Sequence, residues 1–196
     1  MRLLRHSELK GKHASLMAPS NPSWTNYDQD AMAKTVMSSQ RARLGDRKHA
    51  LAAELIALRT KLPDIQRTLN MYVNDCIGFK MTPEQPLFYS WNCFGTADAL
   101  SFRPIPGIFP ERWILRIFDL KTGSTRTYMR QLEIYACLFC FEYDVDPADI
   151  DIELRIYKGD DYEIYTPDLD DIIHLMEHIK YMDKLIDTME KEANGD

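Results

Sequence analysis

Asp119 and Lys121 stand two residues apart at the end of the apolar run Trp113-Ile114-Leu115-Arg116-Ile117-Phe118. In an extended strand that spacing puts both side chains on one face. A carboxylate there can hold a divalent cation with an ammonium beside it, a combination suited to hydrolysis of a phosphodiester by a cation-activated water. One Asp-x-Lys triplet says little alone, because it is common by chance. The order of the neighbouring pieces carries more: Gly95-Thr96-Ala97-Asp98 precedes it, and Gln131 and Tyr135 follow it. Asp98 sits among Ala97, Ala99 and Leu100, and a carboxylate buried in such a strand is costly unless it is paired or holds a cation. Gln131 and Tyr135 are i and i+4, one face of a helix.

The elements that must position these residues are read from periodicity and punctuation. Pro19 and Pro22, with Ser20 and Ser23, mark a loop. Asp28 or Asp30 can cap a helix through Ala31, Met32, Val36 and Met37, and a second helical stretch follows Gly45, with Ala50, Leu51, Leu55, Ile56 and Leu58 at helical spacing. A third helix is expected from about Ile65 to Ile77. Residues 86–91 then read as a strand, 94–102 as its antiparallel partner, and 113–120 as the next strand. A helix is expected over 127–143, an alternating strand over 151–157, and an amphipathic helix from Asp168 to about Lys191. Glu84, just before the first strand, reads as an exposed turn residue in preference to an acid supporting the site, and Arg130 and Glu133 read as solvated charges.

Composition sets the frame. With 196 residues, 45% of them hydrophobic, the chain suits one globular domain with a sizeable core. No apolar run approaches the roughly 20 residues that span a bilayer, so no membrane role is expected. The first residues are charged and lack an apolar signal core, so no export signal is expected and the expected location is cytoplasmic. The net charge of −6 argues against a simple basic nucleic-acid binder, but the charge is uneven. Residues 1–60 hold ten Lys/Arg against five Asp/Glu, whereas residues 144–196 hold five against seventeen. A basic first third can face phosphates while the acidic C-terminal segment faces away.

Taken together, the pieces resemble the PD-(D/E)XK nuclease superfamily, most closely its RecB-like and CRISPR-associated exonuclease branch, which includes phage recombination exonucleases. The residues that carry the resemblance are Gly45-Asp46-Arg47-Lys48-His49, Gly95-Thr96-Ala97-Asp98, Asp119-Leu120-Lys121 and Gln131-Leu132-Glu133-Ile134-Tyr135, all in the family's order. The resemblance covers about residues 45–158. It implies an α/β fold with a restriction-endonuclease-like αβββαβ core, a mixed central sheet flanked by helices, and extra N-terminal and C-terminal helices. The implied organisation is a single nuclease domain over 1–196: an N-terminal segment 1–44, the core 45–158 and an acidic C-terminal helical part 159–196.

The same resemblance implies metal-dependent hydrolysis. His49, Asp98, Asp119 and the backbone carbonyl of Leu120 would hold Mg²⁺ or Mn²⁺, hard ions suited to oxygen-rich ligation, with the imidazole favouring Mn²⁺. Lys121 would orient the attacking water or stabilise developing charge. Gln131 and Tyr135 would position the scissile strand, and Arg47, Lys48 and Ser20 would contact DNA; Lys34, Arg41 and Arg43 extend the basic rim. Some relatives hold an iron–sulfur cluster, but Cys76, Cys93, Cys137 and Cys140 depart from that spacing and read as small buried hydrophobes. The expected activity is that of a DNA exonuclease in recombination, repair or phage DNA processing. The alternatives are a non-catalytic nucleic-acid-binding or assembly module on the same fold, and a structure-specific endonuclease. DNA is the expected partner, with a recombination or replication protein, and the chain can form homo-oligomers. No G-x-x-x-x-G-K-[ST] loop is present, so a helicase activity would belong to a separate protein.

Overall fold

The computed structural model describes residue 17, residues 22–122 and residues 129–194. The chain divides into two compact units, Met1–Leu44 and Gly45–Asp196. A 3₁₀ turn over Pro22–Asn26 in the first leads into helix α1, Gln29–Ala57, whose residues from Gly45 on belong to the second. Asp28 caps α1: its carboxylate accepts the Ala31 N–H at 2.7 Å and its carbonyl the Met32 N–H at 3.0 Å. The two helical stretches expected on either side of Gly45 are one continuous helix. A mid-helix glycine costs only about 1 kcal/mol, which a 29-residue helix absorbs. Lys34, Arg41 and Arg43 are exposed along it.

The second unit is α/β. A five-stranded mixed open sheet is flanked by helices, with strands β1 (Thr82–Ser90), β2 (Cys93–Pro104), β3 (Trp113–Leu120), β4 (Ile150–Lys158) and β5 (Asp161–Tyr165) in sequential order across it. All neighbours are antiparallel except β3 and β4, which run parallel from Trp113↔Ile150 to Leu120↔Tyr157. A parallel pair needs a crossover, and α3 (Arg130–Glu142) lies within it. The other helices are α2 (Thr68–Gly78) and α4 (Leu169–Asn194).

Two apolar layers sandwich the sheet. Leu87, Leu115, Ile117 and Leu154 pack with Leu132, Ala136 and Leu138 of α3 and Ile172 of α4. Phe118, Leu120 and Tyr157 pack with Ala52 and Ile56 of α1 and Tyr72, Val73 and Cys76 of α2. β3 is therefore buried on both faces, which is why its sequence is a near-continuous apolar run rather than an alternating one. β1 forms an edge and carries Pro83 and Pro86, residues that cannot donate to an additional strand.

Several expectations are corrected. β1 begins at Thr82, not 86, and includes Glu84, which is therefore a strand residue and not a turn residue. The third helix starts at Thr68, after Pro63 and a bend, rather than near Ile65. The helix expected from 127 begins at Arg130, and residues 127 and 128 lie outside the described residues. β5 was not anticipated. It follows β4 through Gly159 and Asp160, whose φ values of 63° and 61° suit a two-residue hairpin turn in which both positions are left-handed. Asp160 then reaches α2: its Oδ1 accepts from the Thr68 N–H at 2.9 Å and the Thr68 hydroxyl at 3.1 Å, and its Oδ2 pairs with Arg67 at 2.9 Å. These bonds cap α2, whose own N-cap residue Arg67 offers no side-chain acceptor, and they hold the Asp160 carboxyl below its usual range.

Cys76, Cys137 and Cys140 are buried free thiols and Cys93 is half-buried. Cys76 packs in the layer opposite Cys137 and Cys140, so the four do not converge. Burial pushes the thiols of Cys137 and Cys140 up to about 12, which removes their reactivity at neutral pH. Among the described residues, no helix is long and apolar enough to cross a membrane.

Candidate metal centre

The site forms where β2 and β3 part. Their paired register runs from Pro104↔Trp113 to Ala99↔Phe118. Beyond it, the Leu120 N–H donates to Asp98 Oδ2 at 2.9 Å. The two-residue alternation of β2 slips here as well: Ala97 packs with the α3 layer, yet Ala99 packs with the α1–α2 layer. Opposite, Glu84 falls between the pairs Pro83↔Ala99 and Gln85↔Ala97 and has φ of +49°. A left-handed conformation costs a non-glycine residue about 1–2 kcal/mol, and such strain gathers at functional sites.

Five elements supply the polar groups, with Glu84 on β1 and Asp98 on β2. From α1, His49 Nδ1 lies 3.2 Å from Asp98 Oδ2. With Nδ1 protonated toward that carboxylate, Nε2 keeps its lone pair, the arrangement that fixes a metal-binding histidine. His49, Glu84 and Asp98 each offer a ligand atom within 4.8 Å of the others. From β3, Asp119 is 4% exposed. Its Oδ1 accepts from Lys121 Nζ at 2.9 Å, while its Oδ2 is buried with no hydrogen-bond partner among the described residues. From α3, Gln131 Oε1 accepts from Lys121 Nζ at 3.2 Å.

The electrostatics are those of crowded carboxylates. Burial, then the nearby Asp98 charge, raises the Asp119 carboxyl above its usual value. Burial and Asp98 do the same to Glu84. The hydrogen bond to Asp98 raises His49. A divalent cation held by His49, Glu84 and Asp98 would relieve this repulsion; Asp119, expected as a further ligand, stands outside that set of mutually close ligand atoms.

The structure thus pairs His49 with Asp98, and holds Asp119, Lys121 and Gln131 in an adjoining hydrogen-bonded set; Leu120, the last residue of β3, lies between Asp119 and Lys121 and ties the two sets through its N–H to Asp98. Glu84 joins them, although sequence reasoning had set it aside; the signal that could have found it is an acid lying between Pro83 and Pro86 on the strand opposite Asp98. Tyr135 lies beside the site rather than in this set: its Cε1 is 3.0 Å from where a Cβ on Gly95 would stand. Lys48 lines a cavity with Lys121. Arg47 is exposed, and Ser20 lies outside the described residues. Glu133, expected in solvent, is buried and paired with Arg130 at 3.1 Å.

Two outcomes follow from this geometry. Gly95→Ala sets a methyl against the Tyr135 ring, so either the ring or β2 must move. Overpacking of this kind costs about 1–3 kcal/mol, read as a lower urea midpoint. Asp119→Asn has the opposite sign in metal-free protein. A raised folded-state pKa means that ionised Asp119 opposes folding at neutral pH, and that this opposition disappears below the ordinary Asp value of about 3.9. Asp119→Asn should therefore melt at a higher temperature than wild type at pH 7, the gap closing as pH falls toward 3.9. A lower melting temperature at pH 7 would show that the Lys121 pair outweighs burial.

No family model, curated protein or solved structure matches this chain.

Proposed function

We propose that this chain is a Mg²⁺- or Mn²⁺-dependent DNA nuclease, an exonuclease by preference, built on a restriction-endonuclease-like core. One observation carries the reading: Asp98, Asp119 and Lys121 meet His49 at the parted ends of β2 and β3, with one Asp119 oxygen buried and unsatisfied. The donor set, one imidazole with carboxylates, suits a hard or borderline divalent ion. His49, Glu84 and Asp98 would hold it, with Asp119 and the Leu120 carbonyl that the family resemblance adds. Bound there, it would supply Lewis acidity toward the phosphate and a more acidic water.

The chain's own groups do the rest. Asp119 and Gln131 hold the Lys121 ammonium between them, which fixes it beside the carboxylates to orient water or to stabilise charge that develops on the phosphate. Gln131 and Tyr135, on one face of α3, position the strand. Arg47 and Lys48 contact its phosphates, so binding should weaken with added salt.

The test is degradation of end-labelled linear double- and single-stranded DNA with Mg²⁺, Mn²⁺ or EDTA, beside Asp119→Ala. Metal-dependent loss of label by the wild type alone supports the reading and gives the polarity. DNA bound but uncut under every condition would favour the binding module instead.

A further inference from the structure

A cavity of about 490 Å³ opens beside the carboxylate cluster, and Lys121 belongs to both. Its wall takes Lys48 from α1, Arg67, Thr68 and Leu69 from the start of α2, and Asp160 from the β4–β5 turn. Three cations and one carboxylate thus line it, and of the cations Lys121 is already paired with Asp119 and Arg67 with Asp160. That carboxylate is already engaged, one oxygen by Thr68 and the other by Arg67 at 2.9 Å. Lys48 has no ion-pair partner among the described residues. Because the Asp160 bonds fix Arg67 and Thr68 in place, little ordering is left for a ligand to impose. An excess of positive charge in a concave wall favours an anion. The volume falls in the range of about 300–1,000 Å³ found for small-molecule sites, far more than a lone phosphate fills, and Leu69 gives the wall an apolar side chain.

We propose that this cavity seats a nucleoside monophosphate, with its phosphate toward Lys48 and Arg67. The inference rests on the nuclease reading for its choice of a nucleotide over other phosphorylated molecules. The nucleotide comes either from the terminus of a bound strand or from the mononucleotide released after a cut.

Calorimetry on the full chain in EDTA tests it without catalysis. The probes are thymidine 5′-monophosphate, thymidine 3′-monophosphate, thymidine and inorganic phosphate. The expected result is one monophosphate bound at least about tenfold more tightly than thymidine or phosphate, and weakened at least about tenfold in Lys48→Gln/Arg67→Gln. The Arg67–Asp160 pair is exposed, so the double variant should keep the wild-type circular-dichroism spectrum. No monophosphate binding, equal binding of phosphate alone, or unchanged binding in a folded double variant would each overturn the cavity. A 5′-phosphorylated and a 3′-phosphorylated tetranucleotide give the source: competition with the monophosphate assigns the cavity to a strand end, and its absence assigns the cavity to the released nucleotide. The two readings fail separately. Cleavage without monophosphate binding overturns the cavity and leaves the nuclease, while monophosphate binding without cleavage does the reverse.

Discussion

Asp98→Ala is expected to lose cleavage and metal binding together, whereas Lys121→Ala loses cleavage and keeps the metal. Asp98 is the carboxylate on which two elements converge, since its Oδ2 receives both the Leu120 N–H and His49 Nδ1. Its removal frees the imidazole, takes one ligand atom from the cluster with Glu84, and leaves the Leu120 N–H unpaired. The orphaned N–H alone costs about 1–3 kcal/mol of stability. Lys121 donates to Asp119 and Gln131 and offers no ligand atom, so Lys121→Ala leaves the donor set whole. Each variant should cut DNA at least about a thousandfold more slowly, equal to about 4 kcal/mol of barrier. Mn²⁺ titration calorimetry beside rates on end-labelled DNA separates the two. Wild-type cleavage by either variant would sink the catalytic assignment.

Phe118→Ala carries the largest expected effect on stability. Phe118 is fully buried one residue before Asp119, on the opposite face of β3. Its ring meets Phe79 edge-on at 5.6 Å and Tyr157 at 5.7 Å, and the Arg155 guanidinium lies 4.8 Å from its centroid. Truncation opens a cavity between α2 and the sheet and costs about 3–5 kcal/mol, a large part of the roughly 5–15 kcal/mol that holds a domain together. Urea denaturation should show a lower midpoint with the slope unchanged. Because the substitution leaves the carboxylates in place, Mn²⁺ affinity measured on folded protein should stay near wild type. A shift of less than about 1 kcal/mol would mean that the two layers are not packed as described.

The sheet's interior was the most legible part of the sequence. β3 announces itself as an apolar run and β4 as the alternation Ile152, Leu154, Ile156, because burial on two faces or one leaves those patterns. β5 was not legible from hydrophobicity, since four of its five residues are exposed; only the Gly159-Asp160 turn signalled it. The polar groups of the site were legible where strand spacing or helix spacing placed them on one face, as with Asp119 and Lys121. Glu84 was not, because it enters through a left-handed kink, a backbone event that no periodicity encodes. The burial of Glu133 was hidden for a related reason: an acid on an amphipathic helix reads as solvated until the i,i+3 arginine that covers it is seen.

The cap on α2 has a consequence for how the chain is made. Thr68 receives its acceptor from Asp160, 92 positions later. At the usual ribosomal pace of roughly 5–20 residues per second, α2 waits about 5–20 s for that partner. Phe118 and Leu120, part of the floor beneath Tyr72 and Val73, arrive before it, and Tyr157 arrives almost with it. The α1–α2 layer is therefore begun early in translation and closed late, when the β4–β5 turn has been synthesised. Nascent chains stalled before residue 160 should leave α2 open to limited proteolysis, and chains stalled after the turn has cleared the ribosome should protect it.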